Sequence, residues 1–293
     1  MTVMLEGKTC LVTGATSGIG RAAAEELAAR GAAVFIVCRS SRKGEETVET
    51  IKRRTGNTDV HMLEADLSSL SQVRQLADDF LALERPLHIL LNNAGVVMLE
   101  RTTTVDGHET TFAVNHLAYF LLTQRLVDRM RESSPARIVC VASEAHRFAG
   151  GRLDFDDLDG TRSYGAMKNY GKSKLANILF VREMARQLEG SGVTINCLHP
   201  GMVGTGLGVN NGRFGRIAMG LLRPFSRSPE KGAETAVYLC TAPEVEGVSG
   251  GYYYNCRPLQ PNEAAGNDDD AQRLWRISEE LTRAGASPQS RAS

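Results

Sequence analysis

The short apolar run Thr9-Cys10-Leu11-Val12-Thr13 passes directly into Gly14-Ala15-Thr16-Ser17-Gly18-Ile19-Gly20, and an alanine-rich helical pattern follows to Ala29. Three glycines set between a strand and a helix restrict the fold more than any other feature of this chain. Glycine lets the backbone turn tightly and come close to a ligand, while the first N–H groups of a helix have no intrahelical partner. A strand–glycine turn–helix unit therefore suits an anionic pyrophosphate, and Gly14, Ser17, Gly18, Ile19 and Gly20 are its candidate contacts. A purely structural tight turn is the alternative reading of the same residues.

The pattern then repeats. Apolar runs rich in Val, Ile, Leu and Cys predict strands at Thr9–Thr13, Ala33–Cys38, Asp59–Glu64, Ile89–Asn92, Arg137–Ala142, Thr194–Leu198 and Gly251–Tyr254. Helical periodicity falls between them, over Ile19–Ala29, Gly44–Arg54, Leu70–Leu83, Phe112–Met130, Asn169–Leu188 and Pro229–Cys240. Such alternation predicts a doubly wound, Rossmann-type α/β fold: one parallel sheet of about seven strands with helices on both faces. Its ligands belong at the carboxyl ends of the strands, where strand order reverses.

No repeat or linker divides the chain, so residues 1–284 read as one domain. The glycine-rich stretch 203–228 departs from the alternation and is expected to act as a substrate lid. Its apolar group at 217–222 either lines the pocket or touches a membrane. Asp268–Asp270 opens an amphipathic helix carrying Leu274, Trp275, Ile277 and Leu281, with acids suited to the positive end of the helix dipole. Residues 285–293 read as a disordered tail.

Lysine plus arginine equal aspartate plus glutamate at 34 each, so no global field favours nucleic acid. The cysteines at 10, 38, 140, 197, 240 and 256 form no C-x-x-C pair and share no ligand-like spacing with the six histidines; free thiols in a reducing compartment and no metal site are expected. The N-terminal residues lack a signal-peptide pattern, and no apolar run is long enough to span a bilayer. A cytoplasmic protein follows.

Arg39 closes the second predicted strand, where an NAD-binding chain would place an acid for the ribose 2′-hydroxyl. An arginine pairs instead with a 2′-phosphate, and Arg42 and Lys43 stand close by, so NADP(H) is favoured over NAD(H). A solvated surface arginine is the bland alternative. Asp66-Leu67 and Asn93-Ala94-Gly95 follow the third and fourth strands, at the edge where the dinucleotide would lie.

Tyr170 and Lys174 form a Y-x-x-x-K pair, and positions i and i+4 share one helix face. An ammonium beside a phenol favours the phenolate, which brings a group of pKa about 10 toward useful acid/base range. The same spacing recurs at Tyr164 and Lys168. The unbroken helical run after Tyr170 favours that pair, while Gly165 and a break near Lys168 place the other in an approach loop.

Together TGATSGIG, NNAG, VNHLAYFLLT, VCVASEAH, the Tyr170/Lys174 pair and HPGMVGT at 199–205 resemble the short-chain dehydrogenase/reductase family over nearly the whole chain. Arg39, YGKSKLANILF and the terminal LWRISEELT are most similar to its retinol-dehydrogenase-like branch. The resemblance implies that Ser143 holds the substrate oxygen, that Tyr170 moves the proton, and that Asn115 carries a water linking Lys174 to solvent. It implies cofactor contacts by Tyr170, Lys174, Pro200, Gly201, Val203 and Thr205, and a homodimer or homotetramer built through the long helices. Relatives in the branch often carry an N-terminal hydrophobic anchor; this chain opens almost on its first strand, so a soluble enzyme is expected. The insert 146–162 is expected to wall the pocket together with 203–228.

The combined expectation is an NADP(H)-dependent ketoreductase acting on a small, fairly apolar carbonyl or alcohol, with no nucleic-acid partner. Two rivals stand beside it. One is a retinol-like NADP-dependent alcohol dehydrogenase; the other is a non-catalytic protein that senses NADPH.

Overall fold

The computed structural model describes residues 3–201, 203 and 227–283. Strands β1 (Thr9–Thr13), β2 (Ala33–Cys38), β3 (Val60–Glu64), β4 (Ile89–Asn92), β5 (Ala136–Val141), β6 (Val193–Leu198), β7 (Tyr252–Tyr254) and β8 (Arg257–Pro258) form one sheet in the order β3-β2-β1-β4-β5-β6-β7-β8. The first seven run parallel and β8 pairs antiparallel with β7. The sheet is thus Rossmann-type, its eight strands close to the expected number of about seven. Its extra strand is two residues long, ends in Pro258, and lies at the edge, the one place in a sheet where a missing N–H costs no ladder bond.

Among the described residues the α-helices are α1 (Gly18–Ala29), α2 (Ser41–Thr55), α3 (Leu70–Leu81), α4 (Thr110–Phe112), α5 (Ala118–Glu132), α6 (Ala166–Gln187), α7 (Pro229–Thr241) and α8 (Asp268–Arg283). Successive strand residues point to opposite faces, and both faces are apolar. Leu11, Leu90, Ile138 and Cys140 pack with Leu76, Leu122 and Leu179 on one side. On the other side Cys10, Val12, Leu91 and Val139 pack with Ala23, Leu27 and Ala236. This is why the strands read as continuous apolar runs without alternation.

The predicted helix over Phe112–Met130 is broken at its start. After α4, residues Ala113–Leu117 form a π-turn, with the Ala118 N–H donating to the Ala113 carbonyl, before α5 begins. The C-terminal helix α8 packs against α5 and α6: the Trp275 ring stacks on Phe180 at 6.0 Å and meets Phe120 edge-on at 4.9 Å. Among the described residues no helix is long and apolar enough to cross a membrane. The expected lid at 203–228 and tail at 285–293 lie almost wholly outside the described residues, as does Thr205.

Candidate active site

Strand order reverses between β1 and β4, and the glycine turn sits at that point. Gly14 turns with φ +66°, and a side chain there would drive a Cβ to 2.7 Å from the Ala94 Cα. Gly20 is closed from the other side, its Cβ position lying 2.6 Å from the Gly14 carbonyl oxygen and 2.3 Å from the Asn93 amide nitrogen. Both positions must be glycine for β1, α1 and the β4 loop to meet. Helix α1 then begins at Ser17 without a side-chain cap and without an acid in its first turn. Its free N–H groups and uncompensated dipole fit an anionic pyrophosphate.

Asn93 and Ala94 turn out to be the frame of this turn. The Asn93 and Ala94 backbone N–H groups both donate to the Thr13 hydroxyl (2.9 and 3.0 Å), and the Asn93 side chain donates to the Thr13 carbonyl at 2.8 Å. The Tyr119 hydroxyl closes the frame by donating to the Ala94 carbonyl at 2.7 Å. Gly95 follows in the same loop, half-buried. Sequence reasoning passed over Thr13 and Tyr119, whose hydroxyls fix the turn without touching the motif's glycines. A tyrosine four positions after Asn115 was the available signal.

At the carboxyl end of β3, Asp66 accepts from the Ser68 N–H and hydroxyl at 2.9 and 2.8 Å, and Leu67 packs into the core. Arg39 stands exposed at the end of β2, just before the first turn of α2 with Arg42 and Lys43. Pro200 and Gly201 leave the end of β6, and Val203 bridges to Arg227, closing the two ends of the intervening segment together.

Ser143 and Lys174 meet around the end of β5. Lys174 is 2% exposed and its Nζ donates to the Val141 carbonyl at 2.8 Å, one strand residue short of the Ser143 loop. The same ammonium lies 5.6 Å from the Tyr170 ring centroid and 5.8 Å from that of Tyr119. Tyr170 is 8% exposed and faces the Ser143 hydroxyl, a donor that favours its phenolate; that hydroxyl accepts from the Ala145 N–H at 3.1 Å. One reason the elements approach so closely is Gly171, where a Cβ would stand 2.6 Å from the Ala145 carbonyl oxygen. A glycine beside the tyrosine lets α6 press onto the two turns of 3-10 helix at Glu144–Ala149.

Burial sets the protonation states. It pushes the Tyr170 phenol up to about 12, the reverse of the lowering expected from the neighbouring ammonium, while the Ser143 hydroxyl acts in the opposite direction. It also drives Lys174 down to about 7, because an ammonium held away from water is destabilised. The site therefore holds a neutral phenol able to give a proton, next to an amine that exchanges its own near neutrality.

Asn115 sits in the π-turn, fully buried, and grips the β4 loop. Its carbonyl oxygen accepts from the Val96 N–H at 2.8 Å, and its amide donates to the Val96 carbonyl and to the Ser173 hydroxyl, both at 3.0 Å. Ser173 in turn donates to the Tyr170 carbonyl at 2.7 Å, so Asn115 is tied to the helix that carries the phenol. Ser173 is a further residue that sequence reasoning named only as part of a helical run.

Of the predicted contacts, the glycine turn, Asn93, Ala94, Asn115, Ser143, Tyr170 and Lys174 are brought to one edge of the sheet. The break expected near Lys168 is corrected: α6 begins at Ala166, so Lys168 lies in its first turn and only Tyr164 precedes the helix.

A model of the family described as short chain dehydrogenase matches residues 8–155 and 156–213. Retinol dehydrogenase 12 of Mus musculus is 43% identical over 279 residues, covering 95% of this chain and 87% of that protein. An uncharacterized protein from Mycobacterium Paratuberculosis shares the structure with a TM-score of 0.76 at 30% identity, over 96% of this chain and 95% of that one. A short chain dehydrogenase from Burkholderia cenocepacia, solved in complex with NADP, gives a TM-score of 0.66 at 26% identity over 90% of this chain and 99% of that one. A family match over more than half the sequence, joined to this identity across nearly all of it, places the chain in the short-chain dehydrogenase family, in its retinol-dehydrogenase-like branch.

Proposed function

We propose that this protein is an NADP(H)-dependent ketoreductase for a small, fairly apolar carbonyl compound, reversible toward the alcohol. The observation that carries the proposal is the meeting of Ser143, Tyr170 and Lys174 at the end of β5, beside a glycine turn that fits a pyrophosphate. When bound, the cofactor supplies the hydride. The chain supplies the rest. The Ser143 hydroxyl orients the substrate oxygen, and Tyr170 gives that oxygen its proton as the carbonyl becomes an alcohol. Lys174 steadies the phenolate that remains, and Asn115 keeps the helix and the β4 loop in register while a proton returns from solvent.

Support for NADP(H) comes from the end of β2. Arg39 is exposed there, and the first turn of α2 carries no acid that would repel a 2′-phosphate. Replacing Arg39→Ala should raise KM for NADPH roughly tenfold and leave that for NADH nearly unchanged, since a lost charge-assisted contact costs about 1.4 kcal/mol or more. An equal effect on both cofactors would remove the argument.

A second reading draws on the identity to mouse retinol dehydrogenase 12: oxidation of a retinol-like alcohol with the same residues acting in reverse. A panel of ketones, aldehydes and alcohols, retinoids included, followed at the nicotinamide absorbance with both cofactors, decides between the directions. Tight NADPH binding with no turnover of any compound would mark a sensor and end the enzymatic reading.

A further inference from the structure

Asn115 and His116 are consecutive, and the π-turn sends them to opposite sides. Asn115 faces the β4 loop and Ser173, whereas His116 points into an aromatic pocket between α5, α6 and α8. The imidazole is fully buried, 5.1 Å from Phe112, 6.4 Å from Phe120 and 6.2 Å from Phe180 by ring centroids. Its Nε2 is joined by a 2.8 Å hydrogen bond to the hydroxyl of Ser278, itself fully buried on α8. The wall behind that pocket is Trp275, which stacks on Phe180 and meets Phe120 edge-on.

We infer that α8 is a positioning element for the active site: through Ser278 and His116 it holds the π-turn in the register that presents Asn115 to Val96 and Ser173. The inference rests on the reading of Asn115 as part of the proton path. Its physical basis is that a π-turn inserts one residue into an α-helix, a rare arrangement that side-chain contacts on its two sides can hold. On the active-site side the fixture is three hydrogen bonds of Asn115. On the far side it is the bond from His116 to Ser278, with Asn177 beside the same imidazole, within a packed aromatic shell. Burial keeps His116 neutral, down to about 4, so this anchor does not switch across the working pH range. Without Ser278 the buried Nε2 loses its hydrogen-bond partner, which removes the far-side anchor and frees the turn to slip toward regular helix. Such a slip moves Asn115.

The test compares Ser278→Ala, Ser278→Thr and Leu281→Ala. Leu281 lies on the same helix and packs on the same core but has no side-chain group to hydrogen-bond His116, so its truncation loosens α8 and leaves the anchoring bond in place. Amide hydrogen exchange over 113–117 is measured in all three, with kcat and the KM for cofactor on whichever carbonyl the panel identifies. Ser278→Ala is expected to speed exchange in 113–117 and to lower kcat, each by roughly tenfold, with cofactor KM unchanged. Ser278→Thr restores both, and Leu281→Ala lowers Tm with 113–117 still protected and kcat as in the wild type. Unchanged exchange in 113–117 for Ser278→Ala, or an equal loss of kcat in Leu281→Ala, overturns the inference. If the wild type turns over nothing, the ketoreductase reading fails, while the exchange comparison alone still decides the coupling.

Discussion

Tyr164 and Tyr170 each stand four positions ahead of a lysine on one continuous stretch of chain, and the two pairs come to rest in different surroundings. Tyr170 and Lys174 both lie inside α6, on one face, buried against the end of β5. Gly165 is the N-cap of that helix, so the pair Tyr164/Lys168 straddles the cap and never shares a face. The Tyr164 hydroxyl donates to the Met98 carbonyl at 2.7 Å and sits near the buried carboxylate of Glu109, while Lys168 is exposed. Burial pushes both phenols up to about 12, but the added influences differ in sign. Glu109 raises Tyr164 further by repelling a phenolate; the Ser143 hydroxyl lowers Tyr170. A spacing motif thus becomes a site only when helix register and charge environment agree. Here the register is decided by a single glycine.

The largest effect should separate the two tyrosines. Replacing Tyr170→Phe is expected to lower kcat by about 10³-fold or more and leave cofactor binding intact, because the hydroxyl alone is removed from a buried ring. Tyr164→Phe should keep kcat within about threefold, since its hydroxyl serves a backbone carbonyl. NADPH oxidation and direct cofactor titration read both outcomes. A dead Tyr164→Phe beside an active Tyr170→Phe would reverse the assignment of the pair.

The lysines should differ next. Lys174→Met removes the ammonium nearest Tyr170, and a loss of about 10²-fold in kcat with an optimum moved to higher pH is expected. Lys168→Met should cost little, and gains slightly in stability if a cation in the first turn of α6 opposes the helix dipole. Equal pH–rate profiles for wild type and Lys174→Met would separate Lys174 from the acid/base step.

Lys174 also predicts how stability depends on pH without ligand. Its folded pKa is held down to about 7, below the value of about 10.4 for a free lysine, so between those limits the unfolded chain binds the extra proton. Stability therefore rises as pH climbs from about 7 toward 10, and the full penalty for burying the charge is present below 7. The rise should vanish in Lys174→Met. Parallel denaturation midpoints for the two proteins across this range would show that the amine is solvated.

These contrasts also mark what could be read in advance. The parallel sheet was legible because both its faces are covered, which leaves runs such as Cys10-Leu11-Val12 unmistakably apolar. Tyr170 and Lys174 were legible because i, i+4 geometry is local. The frame made by Thr13, Tyr119 and Ser173 was not, since each hydroxyl acts on residues far along the chain. The π-turn was hidden as well: Phe112–Met130 has helical periodicity throughout, and the inserted residue is held by tertiary contacts to Val96 and Ser278. Strand β8 offered two residues and no pattern.

The smallest effect concerns what the first tyrosine does in place of catalysis. Its hydroxyl joins the start of α6 to the loop after β4, and Glu109 caps α4 beside it by accepting from the Thr111 and Phe112 N–H groups, both at 2.8 Å. Removing the Tyr164 hydroxyl leaves the Met98 carbonyl without this donor at a half-buried position, a loss of about 1 kcal/mol, which for a chain of this size lowers Tm by roughly 2 °C. Relief of the unfavourable pairing between that phenol and the Glu109 carboxylate works in the opposite direction, but only at pH high enough to ionise the phenol. Near neutrality the lost bond wins. A Tyr164→Phe protein as stable as the wild type, measured by calorimetry at pH 7, would mean that the hydroxyl is satisfied by water and that the approach to α6 is held by packing alone.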